Sequence, residues 1–285
     1  MSGSRQRLAL PRDTIVEGDC IAGMRALPAQ SAQLIIADPP YNLNKDFGEW
    51  KERKQRERWL PWSQEWIDEC NRVLAPGGSI FIYGIHHHLC WIQCYLYDIG
   101  LSYRRQVIWH YENGFAGYTR TLAAHYEPLL WFSKGDTFTY HPIREPYKST
   151  ERLKHKITKN GKEWKPNPEG RLAGDVWRFP TLAGRRFRDE KVDHPTQKPL
   201  SISERIVRHF SNEGDTVLVP FAGSGSECLA AATLGRHFIA FELNPAYVEI
   251  AKARLRDLGD TPAKASAPGH AGSDSVETLT ERATR

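Results

Sequence analysis

The pattern that most constrains the fold is a recurring short apolar run that stops at an acidic residue, a proline or a glycine. QLIIAD (33–38), SIFIYG (79–84), TVLVPF (216–221) and HFIAFE (237–242) are of this kind, and TIVEGD (14–19) is a shorter version. Such runs are short for helices and read as strands. RRQVIWHY (104–111) and YEPLLWFS (126–133) read as two more. Helical patterns lie between them. Trp62, Trp66, Ile67, Cys70, Val73 and Leu74 share one helical face, which Pro76-Gly77-Gly78 ends. Residues 86–98, 199–210, the stretch from AGSGS to Leu234, and 245–258 read as further helices. Strands alternating with helices predict an α/β fold: a mostly parallel sheet with helices on both faces.

Composition excludes several other classes. Five Cys and eleven His in 285 residues rule out a disulfide-stapled scaffold. No apolar run reaches the roughly 18 residues a membrane-spanning helix needs. The opening MSGSRQRLALPRD lacks the apolar core of a signal peptide, so a cytoplasmic protein with reduced thiols is expected. Residues 260–285 are Ala, Ser, Gly, Thr, Pro and charge, which predicts a disordered tail. Charge is uneven. Residues 141–191 hold fourteen Lys and Arg against seven Asp and Glu, in a chain whose net charge is only +5. Weak periodicity there predicts a mostly irregular insertion, and its charge suits either a polyanion partner or a solvated surface.

Two segments carry chemistry. Phe221-Ala222-Gly223-Ser224-Gly225 follows a strand and opens a helix, where glycines let a ligand approach backbone N–H groups. The third glycine of a dinucleotide fingerprint would fall at Cys228, so a pyrophosphate reading is weak. Glu242 ends the next strand and can accept hydrogen bonds from two ribose hydroxyls. A nucleoside without pyrophosphate, such as S-adenosylmethionine, fits both facts; a tight turn with an exposed Glu is the plainer alternative. Asp38-Pro39-Pro40-Tyr41 follows the most apolar strand. Its prolines keep the Pro39 carbonyl out of any regular ladder. Two acceptors beside an aromatic ring suit a planar base bearing an exocyclic amine, although a Pro-Pro turn with a capping Asp would look the same.

Together these residues resemble the amino-group DNA methyltransferases, which move methyl from S-adenosylmethionine to adenine N6 or cytosine N4. The order of motifs is similar to that of their β class. Asp38-Pro39-Pro40-Tyr41 matches the catalytic motif, Phe221 to Gly225 the cofactor loop and Glu242 the ribose acid. His194-Pro195-Thr196-Gln197-Lys198-Pro199 matches a motif lining the cofactor pocket, and Gly18-Asp19 the position that meets the cofactor's adenine. The resemblance spans roughly residues 13–256. It departs at Val219, where the family usually has an Asp near the methionine end of the cofactor; Asp215, at the start of the strand, is a poor substitute.

The resemblance implies a Rossmann-like S-adenosylmethionine-dependent methyltransferase sheet with one antiparallel strand. Residues 13–140 form a catalytic half, 141–191 a DNA target-recognition insertion and 192–259 a cofactor-binding half. It implies catalytic roles for Asp38, Pro39, Pro40 and Tyr41. It implies cofactor contacts from Asp19, Asp38, His194, Thr196, Gln197, Lys198, Phe221, Ala222, Gly223, Ser224, Gly225, Glu242 and Asn244. The cofactor is S-adenosylmethionine, leaving S-adenosylhomocysteine, with no metal. The partner is double-stranded DNA, whose target base is flipped out for direct attack; a homodimer and a cognate restriction endonuclease are further partners the family allows, and a membrane is not.

Arg185, Arg186 and Arg188 are the expected DNA contacts, unless they pair with Asp189, Glu190 or Asp193. Trp164 and Trp177 are expected to pack. The charged loop 42–58 could close over DNA or remain a solvated loop. His86-His87-His88 with Cys90 and Cys94 invites a zinc site, but packed thiols beside partly exposed imidazoles are expected instead. No Cys follows a Pro, which argues against cytosine-C5 chemistry. Asp at the head of the tetrapeptide favours adenine N6 over cytosine N4. A protein-amide methyltransferase is disfavoured by Asp38 and the basic insertion; a DNA-binding module with a decayed cofactor site has only Val219 to suggest it.

Overall fold

The structure, a computed structural model, describes residues 12–41, 46–47, 50–51, 56–84, 86–111 and 122–260. Most of the 42–58 loop and the tail beyond Asp260 lie outside the described residues. The chain divides into two compact units, one holding Gly174–Gly259 with everything up to Pro142, the other Ile143–Ala173.

The first unit is an α/β sheet of eight strands. In chain order these are β1 (Thr14–Glu17), β2 (Ala32–Ala37), β3 (Leu74–Tyr83), β4 (Ser102–His110), β5 (Tyr126–Ser133), β6 (Val176–Arg178), β7 (Thr216–Val219) and β8 (His237–Glu242). Their order across the sheet is β1-β8-β7-β2-β3-β5-β4-β6. Only β5 runs against its neighbours, pairing antiparallel with β3 and β4. The sheet is thus mostly parallel with one antiparallel strand, as expected. The helices are α1 (Cys20–Ala26), α2 (Arg56–Val73), α3 (His86–Asp98), α4 (Leu200–Phe210), α5 (Ser226–Thr233) and α6 (Pro245–Asp260). None among the described residues is long and apolar enough to cross a membrane.

The period-2 alternation of the strands divides the core between the two faces. Ile35, Ala37, Ile80, Ile82, Leu130, Phe132, Leu218, Ile239 and Phe241 join one buried cluster with α1, α2 and α3. The residues between them face the other way: Phe81 packs on Phe210 of α4, ring centroids 4.7 Å apart. Both sheet faces are therefore covered, which is why these strands are apolar along their whole length.

Three sequence expectations need correction. Residues 174–191 belong to the first unit, because Val176–Arg178 adds a strand parallel to β4. The separate unit is the shorter stretch 143–173. Cys90 and Cys94 are exposed rather than packed; the buried thiols are Cys20, Cys70 and Cys228. Trp177 is buried, but Trp164 is 61% exposed. The second unit is built of small antiparallel ladders, Ile157–Lys159 with Lys162–Trp164 and Arg144–Glu145 with Arg171–Leu172. Asn160 and Gly161, both with positive φ, turn the first of them.

Candidate active site

Four neighbouring parallel strands, β1, β8, β7 and β2, end side by side, and the residue after each end turns into one cavity of about 930 Å³. Gly18 and Asp19 follow β1, Leu243 and Asn244 follow β8, Phe221 to Ser224 follow β7, and Asp38 to Tyr41 follow β2. This is where an open α/β sheet holds its ligand, because the loops leaving the carboxyl ends diverge there. His194, Thr196, Gln197 and Lys198, leading into α4, line the same cavity. So do Trp62 and Glu227, neither of which the motif reading includes.

Glu242, the last residue of β8, is held by its own surroundings. Its Oε2 accepts the Gly223 N–H and its Oε1 the Asn244 N–H, both at 2.8 Å. Burial pushes this carboxyl above its ordinary range, and backbone donors from Asn244, Gly223 and Leu243 pull against that rise. Gly223 has φ +48, and a Cβ there would stand 2.9 Å from His194 Nε2. His194 packs edge-on against Tyr247 at 4.4 Å. Burial holds its imidazole down to about 4, so it is neutral near pH 7. Its Nδ1 accepts the Thr196 N–H at 3.3 Å, which leaves the ring hydrogen on Nε2. Asp19 caps α1, its Oδ1 accepting from the Ala22 N–H at 2.9 Å.

The tetrapeptide is fixed from both sides. Tyr41 is buried and its hydroxyl donates to Asp38 Oδ1 at 2.5 Å. Trp59 Nε1 donates to the Pro40 carbonyl at 3.0 Å. The Pro39 carbonyl accepts no hydrogen bond among the described residues. The other Asp38 oxygen, Oδ2, lies 2.9 Å from Lys198 Nζ, which is also 3.4 Å from Glu127 Oε2.

The expected site residues thus come together with few exceptions. Gly225 does not line the cavity; it opens α5 with φ +77 and its N–H donates to the Ala222 carbonyl. Gln197 lines the cavity, but its amide is taken up by Glu190 and Val192 backbone groups. Asp215 immediately precedes β7 and its Oδ2 accepts the Asn212 N–H, at the end of the strand remote from the cavity residues. Val219 is fully buried. Arg185, Arg186 and Arg188 are exposed on a short 3-10 turn away from the cavity lining, and no carboxylate lies within 4.0 Å of them among the described residues. The described residues hold no cluster of three or more metal-ligating side chains.

The architecture is that of the S-adenosylmethionine-dependent methyltransferases. A cytosine-N4-specific PvuII DNA methyltransferase shares it at TM-score 0.65 and 16% identity, over 88% of this chain and 89% of that one. The complex of M1.HpyAVI with S-adenosylmethionine does so at TM-score 0.58 and 23% identity, over 85% and 98%. The chain belongs to the N6/N4 DNA methylase family, whose pattern matches residues 32–253. It is 36% identical over 252 residues to the type II methyltransferase M1.MboII of Moraxella bovis, covering 84% of this chain and 95% of that protein. To the DNA adenine methyltransferase YhdJ of Escherichia coli K12 it is 34% identical over 246 residues, covering 85% and 82%.

Proposed function

We propose that this DNA methyltransferase is of the β class and transfers methyl from S-adenosylmethionine to adenine N6 in duplex DNA. The observation that carries the reading is that Glu242 and Asp38, at the ends of β8 and β2, face one cavity. The site's donors and acceptors fit the cofactor. Glu242 presents its carboxylate to the cavity as an acceptor for ribose hydroxyls, and the His194 ring leaves no room for a side chain at Gly223. When bound, S-adenosylmethionine supplies an electrophilic methyl group on its sulfonium.

The protein's own part is to hold an amine. A base inside a duplex does not present its amine, so it leaves the stack at a cost of a few kcal/mol. The Tyr41 ring, lining the cavity, offers a surface for that base. The Asp38 carboxylate and the unbonded Pro39 carbonyl accept its two amine protons. An amine bonded in this way turns its lone pair out of conjugation, which is the geometry of the transition state. Holding it in line with the methyl group is a large part of the acceleration. No step needs a thiol nucleophile. Asp at the head of the tetrapeptide, and a relative named as an adenine methyltransferase, support adenine over cytosine.

The test pairs two variants with product analysis. Nucleosides from methylated DNA should contain N6-methyladenine; N4-methylcytosine in its place refutes the choice of base. Asp38→Ala should abolish transfer and spare cofactor binding. Glu242→Ala should weaken cofactor binding by about one to two decades, since a hydrogen bond to a charged group contributes roughly 1.5–3 kcal/mol. Near-normal methylation by Asp38→Ala overturns the reading, and unchanged cofactor affinity in Glu242→Ala removes the ribose role.

A further inference from the structure

Lys198 belongs by motif to the cofactor pocket, and within the cavity lining its ammonium is engaged by two carboxylates. It is 4% exposed, 2.9 Å from Asp38 Oδ2 and 3.4 Å from Glu127 Oε2. It also lies over the rings of Tyr41 and Tyr83, at 5.3 and 5.0 Å. The Tyr41 hydroxyl repeats the pattern: 2.5 Å from Asp38 Oδ1 and 3.3 Å from the same Glu127 oxygen. Each oxygen of Asp38 therefore has one donor, and both donors share Glu127 as their second acceptor. The three segments are remote in sequence. Asp38 and Tyr41 follow β2, Glu127 is the second residue of β5, and Lys198 precedes α4. The Lys198 backbone is itself held, its carbonyl accepting from Ser226 Oγ at 2.8 Å.

We propose that Lys198 and Glu127 are positioning residues that, with the Tyr41 hydroxyl, clamp the Asp38 carboxylate in place for the substrate amine. The inference rests on the proposed role of Asp38 and extends it. A carboxylate on a short side chain rotates freely unless both oxygens are engaged. Here Tyr41 and Lys198 hold one each, leaving the remaining lone pairs at set directions. Glu127 keeps both donors aimed and balances the buried ammonium. Burial pushes the Lys198 ammonium down, but Asp38 and Glu127 more than offset it, so Lys198 remains charged. This arrangement gives Tyr41 a second task, because its hydroxyl as well as its ring becomes part of the site.

The clamp predicts a sign that packing alone does not. Without Lys198, Glu127 and Asp38 are two carboxylates competing for the Tyr41 proton, so removing the Glu127 charge as well should help. The assay is single-turnover methylation of duplex DNA at saturating S-adenosylmethionine, with cofactor affinity measured by calorimetry. Lys198→Met should slow the chemical step by about 100-fold, the scale of an ångström misplacement, with cofactor affinity within about threefold of wild type. Glu127→Gln should slow it by roughly three- to tenfold. The double variant should be several-fold faster than Lys198→Met alone. Weakened cofactor binding with a normal rate at saturation makes Lys198 a cofactor ligand and overturns the clamp; so does a double variant no faster than Lys198→Met. If Lys198→Met does not fold, Glu127→Gln decides: a slower step with unchanged cofactor affinity supports the clamp, and a wild-type rate refutes it. Wild-type protein that binds cofactor but methylates no DNA fails the function reading itself, and the clamp falls with it.

Discussion

Glu227 stands in the first turn of α5, 4% exposed, with its Oε1 accepting from the Ser203 hydroxyl at 3.0 Å. Burial pushes its carboxyl above the ordinary range, and Asp38 pushes the same way; its backbone and Ser203 hydrogen bonds and Lys198 pull it back only in part. The folded state therefore holds this proton more tightly than the unfolded chain does. Its contribution to stability is fully present below the ordinary value of 4.5 and is lost as pH rises through the raised one. Glu227→Gln keeps an acceptor for Ser203 and removes the charge. It should melt higher than wild type at about pH 8, and the two curves should converge below pH 4.5. Thermal melts across that range check it. A lower melting point at about pH 8 would mean that Glu227 is needed as a counter-charge to Lys198.

At the scale of elements, the site depends on how closely α5 can approach α6. Gly225 is the pivot. Its φ is +77, and a Cβ there would lie 2.7 Å from the Ala251 Cβ and 3.2 Å from the Ala251 Cα. Gly225→Ala therefore faces roughly 1–2 kcal/mol for the left-handed backbone and about 1–3 kcal/mol for overpacking. The expected outcome is a lower urea midpoint and weaker cofactor binding, since the strand-to-helix loop before it lines the cavity. An unchanged midpoint would show that α6 moves away freely. The same scale explains what the sequence could reveal. β2, β3, β5 and β8 were readable because their apolar runs are long enough to carry a pattern, and the loops after β2, β7 and β8 carry motifs. α1, seven residues of CIAGMRA, has too few turns to show a helical period. β6 is three residues in a polar stretch, and only its pairing with Ile108, Trp109 and His110 of β4 makes it a strand. Glu127 had no signal at all. It reads as an ordinary strand residue until the antiparallel turn of β5 brings it to Asp38 and Lys198.

On the scale of the whole molecule, the question is where positive charge meets DNA. Arg185, Arg186 and Arg188 stand on an exposed turn of the first unit, with no carboxylate within 4.0 Å among the described residues and the Arg186 guanidinium 4.7 Å from the Phe187 ring. Asp189, Glu190 and Asp193 do not neutralise them; Glu190 instead accepts the Leu200 N–H at the start of α4. Arginines left free in this way are available to phosphates, which take most protein–DNA hydrogen bonds. Replacing all three with Ala should leave cofactor affinity unchanged. DNA affinity should fall about equally on specific and scrambled duplexes, and the salt dependence should flatten by roughly one unit per lost phosphate contact. A base contact would behave differently, costing about 1–3 kcal/mol and relaxing preference at a single position. The measurement is DNA affinity against salt for both proteins on both duplexes. Superimposable curves would remove these arginines from the interface. The second unit, Ile143–Ala173, would then be the next surface to test, since it carries nine Lys and Arg against four Glu.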